Sequence, residues 1–189
     1  KRYDIVFLSC EGNQNPNTKP HGTLNAMKEY ADLGGRVFAS HWHNIWIGGN
    51  FQQNNPGLAP PVWNTIATWT AQDGNPDTDI IDEGGHPKGN AFATWMLNVM
   101  GSTTRGVIQL QGGTGRATSV TLDPLRSERW VYTENGGMTP QMFQFTTPNE
   151  APADTRCGKV VFTDMHVSGT SSGNSFPGNC TGGNNLTPQ

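Results

Sequence analysis

Two near-continuous apolar runs, separated by a single helical pattern, constrain this chain more than anything else in it. Tyr3–Cys10 (YDIVFLSC) and Arg36–Ser40 (RVFAS) are rich in β-branched and aromatic residues, as strands covered on both faces are. Between them, Glu11–Gly22 is polar and turn-rich. Thr23 can cap a helix with Leu24, Met27 and Ala31 on one face, Tyr30 beside them, and Gly34-Gly35 closing it. Strand, helix and strand within about forty residues make a right-handed βαβ unit, whose two strands run parallel. That order brings Cys10-Glu11 and His41 to neighbouring strand ends on one edge of a sheet. In open α/β sheets such carboxyl edges carry the ligand sites, because the connections leave a crevice there. The second strand runs straight into His41-Trp42-His43, so the crevice would hold two imidazoles and an indole.

Downstream, Asn44–Pro61 reads as a long loop, a kind that is usually functional inside a compact domain. Val62–Thr70 fits either a helix or a strand, and Thr78–Asp82 a short strand. Pro87 suits the first turn of a helix whose stripe is Ala91, Phe92, Trp95, Met96 and Val99, closed by Gly101. Trp95 is thus expected in the core. Short strands follow at Gly106–Leu110, Thr118–Leu122, Arg129–Thr133 and Gln141–Thr146, as an antiparallel extension packed on the parallel part. Gly158–Asp164 is again a covered strand and leads into Met165-His166. There is no internal repeat.

Composition excludes some functions. At 189 residues the chain suits one domain, 1–189, burying roughly 70% of its unfolded surface. Only 14% of residues are charged, the net charge is −3, and no Lys/Arg cluster occurs; nucleic acid is not an expected partner. No apolar run approaches the length of a membrane span, and no stretch of these residues reads as a signal peptide. The chain opens directly on a strand, as a mature or excised portion would. Abundant Gly, Asn, Thr and Gln suggest an extracellular, secreted protein. Cys157 and Cys180 bracket a Ser/Gly-rich stretch, and a disulfide between them would stabilise by roughly 3 kcal/mol in the chain-entropy model. It would tie down an irregular segment, 168–189, and imply an oxidising compartment; two reduced thiols are the alternative. Cys10 is left over.

The runs YDIVFLSCEG, GGRVFASHWH and GKVVFTDMHVSG, with HPKGNAFATW between, resemble class I glutamine amidotransferase-like and trehalose-utilisation-type domains, as found in uncharacterised secreted bacterial proteins. The resemblance implies a flavodoxin-like α/β fold, a three-layer core with a parallel sheet. It places His41 on the nucleophile turn and His166 in register with the catalytic histidine. The departures are specific. Histidine replaces the nucleophilic cysteine, so thioester chemistry is unavailable at position 41. The glycines that let that turn adopt strained geometry are missing around His41, Ser168 stands where the family has an acid, and the family's first strand and helix have no counterpart. The chain is therefore not expected to be a glutamine amidotransferase.

If that topology holds, His41 and His166 meet across the edge, with His43, Cys10, Glu11 and Asp164 in reach. Converging neutral imidazoles suit a divalent metal, Zn²⁺ first, at about 2.0–2.1 Å per nitrogen. With His41, His43 and His166 as ligands and one open position, a bound water would approach a pKa of about 7 and become a nucleophile. Glu11 would serve as general base. The catalytic set is then His41, His166 and Glu11, for hydrolysis of an extracellular polymer such as a glycan. A packed, hydrogen-bonded corner is as open a reading, and a metal-free His/Glu or His/Cys site is a third. Ser40 lacks the spacing of a hydrolase nucleophile, while His21 and His86 read as solvated loop residues. Trp42, Trp46, Phe51 and Trp63 alternate with Asn44, Asn50, Gln52, Gln53, Asn54 and Asn55, a mixture suited to carbohydrate, with Trp42, Trp46 and Asn44 as substrate contacts. The non-catalytic alternative is a carbohydrate- or surface-binding module that kept the fold and lost the chemistry.

Overall fold

A computed structural model describes residues 3–9, 11–53, 55–72, 74–110, 116–134 and 137–165. The expected βαβ unit is present: β1 (Ile5–Leu8), α1 (His21–Asp32) and β2 (Arg36–Ser40). β1 and β2 pair in parallel, Val6 opposite Val37. Helix α1 begins at His21 instead of Thr23, because the Pro20 carbonyl accepts from both Thr23 N and Leu24 N, making a side-chain cap unnecessary. Its end needs both glycines. Gly34, at φ 87°, donates to Ala31 O at 2.9 Å while Gly35 donates to Tyr30 O at 3.1 Å, a Schellman closure. A Cβ on Gly35 would lie 2.3 Å from the Tyr30 ring.

The long loop expected at Asn44–Pro61 is largely built of short turns. A 3-10 turn over His41–Asn44 leads into α2 (Ile45–Gly48), whose Ile45, Trp46 and Ile47 are all buried. The ambiguous Val62–Thr70 is both things in succession, α3 (Pro61–Asn64) and then β3 (Ala67–Trp69). The remaining elements are β4 (Thr78–Ile81), α4 (Gly89–Asn98), β5 (Val107–Gln109), β6 (Ser119–Leu122), β7 (Glu128–Thr133), β8 (Thr139–Thr147) and β9 (Gly158–Thr163).

Strand β9 pairs in parallel with β2, Val37 opposite Val160, so β1, β2 and β9 are adjacent and parallel. The antiparallel strands do not form a separate layer packed on these three. They continue the same sheet, in the order β1-β2-β9-β8-β7-β4-β5, while β3 and β6 make a separate two-stranded ribbon. The result is a mixed α/β fold with a mostly antiparallel seven-stranded sheet. On one face Ala31, Val37, Ile47, Trp63, Phe143, Phe145 and Phe162 form the main core, with Trp63 edge-on to Phe145 at 5.4 Å. Helix α4 covers part of the opposite face through Ala93 and Met96. Its Trp95 is 55% exposed, contrary to expectation: the helical stripe is wider than the strip of sheet beneath it, and Trp95 faces an open stretch beside β1 and β2. Among the described residues no helix is long and apolar enough to cross a membrane.

Candidate functional site

The parallel neighbours β1, β2 and β9 end at one edge of the large sheet, and polar side chains gather there. β2 passes directly into the 3-10 turn, and His41 takes a φ of 36°. A non-glycine residue in this left-handed region costs about 1–2 kcal/mol. The missing glycines thus did not relax the turn; the strain sits on His41 itself. Its side chain is 1% exposed, with the ring tilted against half-buried Trp42 at 4.3 Å between centroids.

His43 is held at both nitrogens. Nε2 lies 2.5 Å from Ser9 O, and the Trp46 indole N–H donates to Nδ1 at 3.1 Å. A carbonyl only accepts and an indole only donates, so the ring is the neutral Nε2–H tautomer. Burial is the largest influence and pushes its pKa below the ordinary 6.5, against the Ser9 hydrogen bond and the charge of Glu11. In this arrangement neither nitrogen offers a lone pair to a metal. Trp46 is consequently a core residue and not a sugar platform. Glu11 pairs with the Lys19 ammonium, which is itself buried and also donates to Gln14 O at 3.0 Å.

Behind the turn runs a chain of buried polar groups. Gln14 Nε2 donates to Asn44 Oδ1 at 2.7 Å, and Asn44 Nδ2 donates to Thr118 Oγ1 at 3.0 Å. Thr118 Oγ1 donates in turn to Asp164 Oδ1 at 2.6 Å. Asp164 Oδ2 accepts from Thr118 N at 2.9 Å and Ser119 N at 3.0 Å. Burial raises the Asp164 pKa to about 6 in spite of those hydrogen bonds. Asp79, near the start of β4, is also fully buried, and its carboxyl oxygens have no hydrogen-bond partner among the described residues. Burial, followed by the charge of Asp164, raises its pKa to about 7.

Beside this edge lies a cleft of about 520 Å³, running over the open face of β1, β2 and β9 to α4. Phe7, Phe38, Phe92 and Trp95 wall it, and Ser9, Ser40 and Thr163 stand at its edge end.

The structure therefore brings His41, His43, Asn44, Glu11 and Asp164 to one edge, as expected. It buries Asn44, Asn50, Trp46 and Trp63, leaves Trp42 and Phe51 half-buried, the latter stacked on Trp69 at 5.7 Å, and exposes Gln52, Gln53 and Asn55 of the expected sugar platform. His21 opens α1, with Nδ1 2.9 Å from Leu58 O. His86 is buried against Trp130 at 3.6 Å, where solvation had been expected. His166, Cys10 and Cys180 lie outside the described residues. Cys157 is exposed, its Sγ 3.8 Å from Asp32 O. Among the described residues no three His, Cys, Asp or Glu side chains form a metal-holding group. Sequence reasoning missed Asp79, Gln14 and Thr118; the one available signal was an acid inside the apolar run TDII. Comparison with family models and with curated proteins gives no match for the chain.

Proposed function

We propose that this chain is a secreted, non-catalytic binding module on a flavodoxin-like, amidotransferase-like frame, and that its ligand lies in the cleft between α4 and the parallel strands. One observation carries the reading. The polar groups at the former catalytic edge are engaged with one another, His43 at both nitrogens and Asp164 by Thr118 and Ser119, whereas the neighbouring cleft is open and of ligand size. The parallel β1-β2-β9 triplet and the strained turn at His41 support the frame. A crystallographic soak with a mixture of charged, sugar-like and apolar fragments tests the reading without presupposing the ligand. Fragments gathering in the cleft support it; fragments gathering around His41 and Asp164, with the cleft bare, contradict it.

A second reading, a hydrolase centred on His41 with or without Zn²⁺ and His166, is favoured by the strain at position 41 and by the two carboxyls of raised pKa, features that cluster at reactive sites. Under it, hydrolysis of glycoside or ester substrates in the presence of Zn²⁺ disappears in His41→Ala. The binding reading gives no hydrolysis in either protein.

A further inference from the structure

We infer that the cleft takes an uncharged, largely apolar small molecule with a single hydrogen-bonding end directed at Thr163 and Ser9. This rests on the binding reading above and narrows it to a ligand class. Among the described residues, none that lines the cleft is charged. An ionised ligand group would therefore be desolvated without a counter-charge, which disfavours anionic and cationic ligands alike. The walls are aromatic and thioether: Phe7 and Phe38 lie 5.7 Å apart on the sheet, Phe92 and Trp95 stack at 6.0 Å on α4, and Met96 and Met142 also line the cleft. Flat rings facing flexible sulfur side chains suit apolar chains and ring systems of varied outline.

The polar capacity is small and sits at one end. Ser40 Oγ already donates to Leu8 O at 3.1 Å. Thr163 Oγ1 accepts from Met165 N at 3.1 Å, which leaves its O–H to donate, and Ser9 is exposed at the mouth. Two hydroxyls can anchor one carbonyl, ether or hydroxyl. They cannot satisfy the ring of hydroxyls on a sugar, so the glycan expectation does not transfer to this cleft. The volume of about 520 Å³ matches a small molecule and not a protein segment.

Phe7 is 72% and Trp95 55% exposed, so both can be changed without opening the core. The test titrates wild type, Phe7→Ser and Trp95→Gln with the neutral fluorophore N-phenyl-1-naphthylamine, its anionic relative 8-anilino-1-naphthalenesulfonate, and a soluble glucan oligosaccharide. Sedimentation is run in parallel. The expected result is one-to-one binding of the neutral fluorophore, at least tenfold tighter than the anion, and weakened at least tenfold in each variant. Equal or tighter binding of the anion, lost in the same variants, overturns the ligand class and leaves the binding reading standing; so does binding of the oligosaccharide alone. If no probe binds, both fall. Dimerisation of wild type that both variants abolish would then identify the face as an interface between copies of this chain.

Discussion

Asp79→Asn is expected to stabilise the protein, and to do so only above acidic pH. Asp79 is fully buried with no hydrogen-bond partner for its oxygens among the described residues, and its pKa stands at about 7 against an ordinary 3.8. Between those values the folded protein keeps the proton while the unfolded chain releases it. Stability from this group is therefore fully present below pH 3.8 and is lost as pH rises through about 7. The interval of about three pH units, at roughly 1.4 kcal/mol each, corresponds to about 4 kcal/mol. Part of it arises from the Asp164 charge, so the interval is an upper bound. The amide keeps the shape and cannot ionise. Urea denaturation of wild type and variant at pH 4, 6 and 8 should give a difference near zero at pH 4, growing to roughly 2–4 kcal/mol in favour of the variant at pH 8. Taking the difference cancels the titrating groups that do not interact with Asp79, Asp164 being the exception. A variant as stable as or less stable than wild type at pH 8, with parallel pH profiles, would refute the claim that Asp79 is buried without compensation.

Asp164→Ala should lower stability by about 3–5 kcal/mol at pH 7, because it orphans the donors of Thr118 and Ser119 inside the protein; a loss under about 1 kcal/mol would show that water replaces the carboxylate. Gly35→Ala, whose Cβ would meet the Tyr30 ring and carbonyl, should cost about 1–3 kcal/mol in the same assay, and a neutral result would argue against the close α1–β2 turn. A non-reduced digest examined by mass spectrometry should contain Cys157 and Cys180 cross-linked; alkylation of both thiols in the folded protein would remove the disulfide and weaken the case for secretion.

The β1, β2 and β9 strands were legible as apolar runs, and the parallel β1–β2 pair followed from the spacing of the βαβ unit; β1, expected to be covered on both faces, is an edge strand that leaves Ile5 52% and Phe7 72% exposed. The edge was legible for the same reason: strand ends fix which residues share it. What they do there was not, since the brace is assembled from contacts 30, 74 and 46 residues apart, Gln14 to Asn44, Asn44 to Thr118 and Thr118 to Asp164. No local pattern encodes such pairings. The same long-range pairing took Asn44 out of the apparent sugar platform, because its amide bonds inward to Thr118. Trp95 misled differently. Its helical phase matched a buried stripe, but how much sheet lies under α4 is a property of the tertiary arrangement and not of the helix.

The central claim, that His43 and Asp164 are held by their neighbours and the cleft is the working surface, can be read in one titration. Protein carrying ¹³C-methyl methionine and ¹⁵N histidine is titrated first with N-phenyl-1-naphthylamine and then with Zn²⁺. Met96, Met142 and Met165 line the cleft, whereas Met27, packed on the main core, and the exposed Met138 are not among its lining residues and serve as controls. The account predicts that the fluorophore shifts the three cleft methyls alone, and that Zn²⁺ leaves the His43 ring as the neutral Nε2–H tautomer bonded to Ser9 and Trp46. Zinc moving the His41 and His43 ring nitrogens at stoichiometric concentration, with the cleft methyls unmoved by the fluorophore, would contradict it and restore the metal-centred hydrolase.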